Sequence, residues 1–434
     1  MNVNILDYGA VSDAKTVCTQ AIQAAIDACA DSGGGRVTIP TGSFVSGTLW
    51  LKSHVELHLE RGSRLIASKN RADYNALDAF EQNYGYAPEE WVGQHFILCI
   101  EQEDVAITGY GTIDGSGDEF FEEPKFLKWA YFPHGLAIAK DKVNLRPGQL
   151  IEFVESKNIL IENVTITNSP CWCCFLFGCD VVTVKGIKIF NPKHFCNTDG
   201  IDIDSCKYVT VSDCIISTGD DAIAIRCASY RLKDKTRTCE YITITNCNLS
   251  SSSGAIRFGV GKGAIKHVRV SNLTVEEAGC NFGFMTGWGG GGQCHLEDIH
   301  IRNVSCANVA RPFEIDDTCA AGIENISFEN MSIKTRYGGL FIVPQKGTVK
   351  DISFKNVSIQ LVEGAQYLDE IDEKRTVAYI EGVDGLYLER FRVQVEDSVK
   401  ELWTSDVEIV DCKDVEIHRC RYRELVEQTI EKKG

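Results

Sequence analysis

From Val105 onward, aliphatic residues take every second position in short runs that repeat one theme. Val105-Ala-Ile-Thr-Gly is followed by Ile159-Leu-Ile-Glu-Asn-Val-Thr-Ile, Val182-Thr-Val-Lys-Gly-Ile-Lys-Ile and Val209-Thr-Val-Ser-Asp-Cys-Ile-Ile. Ile242-Thr-Ile-Thr-Asn-Cys-Asn-Leu, Val268-Arg-Val-Ser-Asn-Leu-Thr-Val, Ile299-His-Ile-Arg-Asn-Val and Ile352-Ser-Phe-Lys-Asn-Val-Ser-Ile continue it. Val407-Glu-Ile-Val-Asp-Cys and Val415-Glu-Ile return near the end. Each repeat reads as a short strand, a bend at Asn, Asp or Gly, and a second short strand. Their spacing, mostly about 20–35 residues, is that of a solenoid. Alternation buries one side of a strand only, and stacked coils can bury that side where a lone strand cannot. Asn at the bend tolerates left-handed backbone and bonds its own chain. A β-sandwich would instead call for hairpin turns, which the near-identical bends do not resemble. The expected fold is all-β: a right-handed parallel β-helix spanning residues 1–434 as a single domain.

Two features depart from the strand rhythm. Cys18, Ala21, Ile22, Ala25, Ile26 and Cys29 recur at helical spacing, so a helix is predicted over 16–31, ended by Ser32-Gly33-Gly34-Gly35 and capping the exposed end of the stack. Residues 71–95 and 117–149 break the repeat and are rich in aromatics, among them Tyr84, Trp91, Phe121 and Trp129. They read as loop insertions near a cleft, which solenoids collect on one face, often the binding face.

The net charge of −17 repels phosphate backbones, so nucleic acid is not an expected partner. No apolar run approaches the roughly 18 residues that span a bilayer, and no membrane association is expected. The start, Met1-Asn-Val-Asn-Ile-Leu-Asp, has neither a basic nor an apolar leader region, which points to a cytoplasmic protein. In that setting the 19 cysteines are reduced thiols. Cys171, Cys173, Cys174 and Cys179 match no common zinc spacing and read as core packing. No cofactor and no metal are expected.

The chemistry concentrates in two segments. Asn197-Thr198-Asp199-Gly200-Ile201 opens one strand, and Gly219-Asp220-Asp221-Ala222-Ile223 opens another 21 residues later. That interval is about one coil, and adjacent coils lie about 4.8 Å apart. Three crowded carboxylates repel, which raises at least one pKa. One protonated and one ionised carboxyl is the requirement for acid–base hydrolysis of a glycosidic bond.

These motifs resemble those of glycoside hydrolase family 28, the polygalacturonase family. Asn197-Thr198-Asp199 and Gly219-Asp220-Asp221 stand for its most specific pair, and Asp7-Tyr8-Gly9-Ala10 with Gly33-Gly34-Gly35-Arg36-Val37 resembles the opening of pectin-active β-helices. The resemblance implies an inverting hydrolase in which Asp220 is the general acid and Asp199 and Asp221 activate water. Inversion calls for carboxyls about 6.5–9.5 Å apart. The chain also departs from the family. Ser253 falls where a Gly-His-Gly histidine is expected. The usual Arg-Ile-Lys is replaced by Phe284-Met285-Thr286-Gly287-Trp288, which removes two cationic ligands for galacturonate. Arg257, flanked by inward Ile256 and Phe258, faces out and could take a substrate carboxylate. Asn197, His194 at the cleft edge, Ser253, and Trp288 as an aromatic platform complete the substrate-binding candidates.

The expected activity is therefore exo-cleavage of a terminal neutral sugar, rhamnose-like, or of galacturonate from a small oligosaccharide or glycoside. One alternative is an exo-polygalacturonase-like hydrolase of oligogalacturonides that uses Arg257. Another, of a different class, is a polysaccharide lyase or epimerase whose aspartates hold Ca²⁺. A third is a sugar-binding β-helix without catalysis, which has no need of three crowded acids.

Overall fold

The structure is a computed structural model that describes residues 1–125, 134, 136–138, 140, 145–287, 293–316, 321–336, 340–342, 348–363 and 376–430. The chain falls into two compact units. One comprises Met1–Lys125, Gly135–Asp220 and Arg231–Lys233; the other comprises Phe126–His134, Asp221–Tyr230 and Asp234–Gly434. Both are built of parallel strands stacked coil on coil, and the fold is a right-handed parallel β-helix.

In the first unit three columns of side chains run from coil to coil. Val37, Leu57, Ile107, Ile161, Val184 and Val211 stack in register. Phe44, Leu65, Ile113, Ile166, Ile189 and Ile216 form a second column. Leu49, Ile97, Ile151, Cys174 and Ile201 form a third. Almost every member is fully buried. Burial of an aliphatic side chain is worth about 1.5–3 kcal/mol, so each coil is held by its neighbours rather than by itself. The helix is shorter than the spacing predicts and runs Thr19–Asp31. Residues before it are drawn into the sheet: Val17 bridges Val45, and the Cys18 N–H donates to the Val45 carbonyl at 2.7 Å. Its buried positions are Ile22, Ala25, Ile26 and Cys29, and Gly33 and Gly34 end it with φ of 91° and 100°.

In the second unit the strands are longer and bend without breaking. Ala264–Met285 and His295–Asp316 each extend over 22 residues. Ile242, Val268, Ile299, Ile326, Ile352, Leu386 and Val415 stack in one column. The bend falls at Asn246, Asn272, Asn303, Asn330 and Asn356, whose φ values lie between 53° and 57°. Their amides form a ladder, each Nδ2 donating to the Oδ1 of the coil before it, from Asn272 to Asn246 at 3.2 Å up to Asn356 to Asn330 at 2.9 Å. Asn thus serves twice at each bend, in backbone geometry and in coil-to-coil bonding.

The 18 described cysteines form no disulfide, and Cys171, Cys173, Cys174 and Cys179 are fully buried. No helix among the described residues is long and apolar enough to cross a membrane.

Candidate active site

Asp199 and Asp220 lie in the first unit, each in the bend that precedes a strand. Asp199 comes two residues before the strand Ile201–Asp204, and Asp220 follows the strand Ile215–Thr218. The bends are fixed by short contacts. Thr198 Oγ1 donates to the Phe195 carbonyl at 2.9 Å and accepts from the Gly219 N–H at 3.2 Å. Gly219 is required here, because a Cβ would lie 2.1 Å from the Phe195 carbonyl oxygen. Thr218 Oγ1 donates to the Asp220 carbonyl at 2.6 Å. The Asp199 carbonyl accepts from the Cys173 N–H at 2.8 Å, which ties it to the coil beneath.

The two carboxylates present oxygens within 4.8 Å of each other. Asp199 is 5% exposed and Asp220 is half-buried. Asn197 adopts φ 49°, and in that conformation its backbone N–H donates to Asp220 Oδ2 at 3.1 Å. Asn197 Oδ1 accepts from Arg146 Nη2 at 2.6 Å. His194 is half-buried; its carbonyl accepts from the Ala137 N–H, and its ring meets Phe195 edge-on at 5.0 Å. Phe195 in turn stacks on Phe121 at 4.1 Å.

Asp221 lies in the second unit, ahead of the strand Ile223–Cys227. Arg257 grips it with both arms: Nε lies 2.5 Å from Oδ2, and Nη2 donates to Oδ1 at 3.2 Å. The guanidinium that the alternation turns outward is thus directed onto Asp221. Ser253 Oγ also accepts from Arg257 Nη2, at 3.4 Å. The Gly254 N–H donates to Asp221 Oδ1 at 2.8 Å. The strand Ala264–Met285 ends on Phe284 and Met285, and neither these nor Thr286 after them supplies a cation in place of the missing Arg-Ile-Lys. Trp288 lies outside the described residues.

A second polar group sits on the outer face of the same column in the first unit. Glu152 stacks over Phe175, and Phe175 over Asp202. Glu152 and His95 are each 1% exposed, with His95 Nδ1 3.0 Å from Glu152 Oε2 and 3.0 Å from the Gln149 carbonyl. Burial pushes the Glu152 carboxyl up to about 8, opposed by the nearby Arg231, and pushes His95 down to about 4. The Arg231 guanidinium lies 3.3 Å from the Tyr84 ring centroid and 4.6 Å from that of Phe177. The sequence signal for this group was the lone acid within Ile151-Glu-Phe-Val. Arg146 was also missed; its signal was a charged residue at the very edge of an insertion.

Asp199 and Asp220 could share a hard cation at this separation. In the second unit His295, Glu297 and Glu324 are similarly close, but Lys266 already pairs with Glu297.

Comparison with known proteins gives the family and the fold. Residues 29–376 match the family model of glycosyl hydrolases family 28. A probable polygalacturonase of Vitis vinifera is 27% identical over 391 residues, which covers 84% of this chain and 75% of that protein. An exo-poly-alpha-D-galacturonosidase of Dickeya chrysanthemi is 30% identical over 253 residues, covering 51% of this chain and 41% of that one. Among solved structures, the family 28 exopolygalacturonase of Yersinia enterocolitica superposes with a TM-score of 0.70 at 19% identity, covering 100% of this chain and 79% of that one.

Proposed function

The chain belongs to glycosyl hydrolases family 28 and is a glycoside hydrolase; from that premise we propose that it is an inverting, exo-acting enzyme on small oligosaccharides or glycosides. Asp220 protonates the departing glycosidic oxygen, and Asp199 and Asp221 draw the proton from the attacking water. The observation that carries this reading is the pairing of the half-buried Asp220 with the buried Asp199 in the bends that open successive strands. Arg257 holds Asp221 by a bidentate ion pair and so fixes the direction of its oxygens. With Arg257 engaged and the Arg-Ile-Lys pattern absent, a neutral terminal sugar such as rhamnose suits the site at least as well as galacturonate. The relative named as an exo-poly-alpha-D-galacturonosidase supports exo action and keeps oligogalacturonides on the panel of substrates. The absence of disulfides among the 18 described cysteines favours work in a reducing compartment.

The configuration of the first-formed sugar, followed by proton NMR, tests inversion. Activity is to be sought on aryl glycosides and short pectic oligosaccharides, with Asp220→Asn beside the parent. Asn keeps the shape and cannot deliver a proton, so turnover of the oligosaccharide falls about 10²–10⁴-fold while the fold is kept. Near-parental turnover of a poor leaving group by Asp220→Asn would falsify the assignment.

A further inference from the structure

We propose that Arg146, which belongs to neither aspartate motif, is a positioning residue that fixes the proton-bearing oxygen of Asp220; this rests on reading Asp220 as the general acid. Arg146 is 1% exposed and pairs with no carboxylate among the described residues. A buried guanidinium is costly unless its donors are met, and of these Nε meets no acceptor among the described residues, so the two Nη groups carry the fixing. Here Nη2 donates to the Glu89 carbonyl at 2.8 Å and to Asn197 Oδ1 at 2.6 Å, while Nη1 donates to the Pro170 carbonyl. The backbone is anchored too: Arg146–Pro147 pairs in parallel with Trp91–Val92, and the Arg146 N–H donates to the Glu90 carbonyl at 3.1 Å. The ends of the two aromatic insertions thus meet at one arginine, whose side-chain oxygen partner among the described residues is Asn197.

Asn197 stands in left-handed backbone, φ 49°, and that conformation aims its N–H at Asp220 Oδ2. An N–H can only donate. Asp220 Oδ2 therefore receives with a lone pair, and the transferable proton sits on Oδ1. Were Asn197 free to relax, its N–H would swing away and either oxygen could carry the proton. Arg146 prevents this by holding Asn197 Oδ1 with a guanidinium that the Glu89 and Pro170 carbonyls fix in place. Its effect falls on the orientation of the acid and not on substrate contact, so it belongs to kcat rather than KM.

The test uses Arg146→Met, Arg146→Lys and Asn197→Gly in the full chain, beside Asp220→Asn. Glycine keeps the N–H and the positive φ of position 197 and removes only the acceptor of Arg146. Each variant is assayed on a disaccharide and on the 4-nitrophenyl glycoside of the same terminal sugar, α-L-rhamnose or α-D-galacturonate. Nitrophenolate leaves without protonation, so a misplaced acid matters little to it. On the disaccharide, Arg146→Met and Asn197→Gly are expected to lose about 10–100-fold in kcat with KM nearly unchanged, and Arg146→Lys somewhat less. On the nitrophenyl substrate the two Arg146 variants are expected within about threefold of the parent. Equal losses on both substrates would mean general damage to the fold, and unchanged kcat on both would mean that Asn197 needs no support; either overturns the proposal. If Asp220→Asn itself shows no dependence on the leaving group, the acid assignment fails and takes this inference with it. If Asp220→Asn shows that dependence and the other three do not, only the positioning role falls.

Discussion

At the scale of single residues, the site depends on glycines that let backbone reach carboxylates. Gly254 is the clearest case. A Cβ there would stand 2.5 Å from Asp221 Oδ1, where the Gly254 N–H now donates at 2.8 Å. Gly254→Ala is therefore expected to push the carboxylate out of the Arg257 fork, with kcat down about tenfold or more and stability lower by roughly 1–3 kcal/mol. Steady-state kinetics and thermal melting check both, and an alanine variant with parental kcat would show that the placement of Asp221 does not matter to turnover. The aspartates and Asn197 were legible in the sequence because each stands in a motif next to an alternating run. The partner of Arg257 was not, because alternation gives the side a residue faces and says nothing of what lies 36 positions away across a coil. Arg146 stayed hidden for a related reason: no repeat runs through the insertion that ends there, so nothing in its surroundings predicted a partner.

At the scale of elements, register does the placing. Because Glu152 stacks over Phe175 on the outer face of a strand column, the segment 71–95 that supplies His95 and Tyr84 encloses an acid there. Glu152 has its folded pKa raised to about 8 from 4.5 by burial. Below 4.5 both folded and unfolded chains hold the proton; above it the unfolded chain ionises first, and the folded state is progressively disfavoured until about pH 8. Stability is thus expected to fall by on the order of a few kcal/mol as pH rises across that window. His95, held down to about 4, acts in the opposite direction, lowering stability as pH falls below 6.5. Glu152→Gln should flatten the alkaline side of the stability profile in urea titrations while leaving the acid side in place. A profile unchanged by the substitution would assign the loss to other groups. Strand existence was legible almost throughout, since period-two alternation is set by the pleat. The start of the helix was not: Cys18 fits the helical spacing and Val17 lies within the predicted span, yet pairing with Val45 claims their backbone.

At the scale of the whole molecule, charge and cleft chemistry act together on substrate choice. A net charge of −17 repels a polyanion at long range, although salt screens this beyond about 8–10 Å. The missing Arg-Ile-Lys removes charge-assisted bonds worth about 1.5–3 kcal/mol each at every bound carboxylate. Release of reducing ends is accordingly expected to be slow on polygalacturonate and fast on short oligosaccharides or glycosides. Rapid loss of polymer viscosity would show instead a cleft open at both ends and supplied with other cations.

The thiols buried between the coils carry one more consequence. Burial pushes Cys99 and Cys173 up to about 12 and Cys196 to about 11, so at neutral pH they are thiols rather than thiolates as well as shielded. They occur from Cys18 to Cys420, along nearly every stretch of the stack. An alkylating reagent can reach such a group only when its own coil opens, and in the fast-opening regime the labelling rate reports the free energy of that opening. Mass-resolved labelling of the untouched native chain would then read local stability coil by coil, with the half-buried Cys196 and Cys420 modified first and Cys171, Cys174 and Cys206 last. The molecule carries, in its own core, a graded set of clocks for its unravelling.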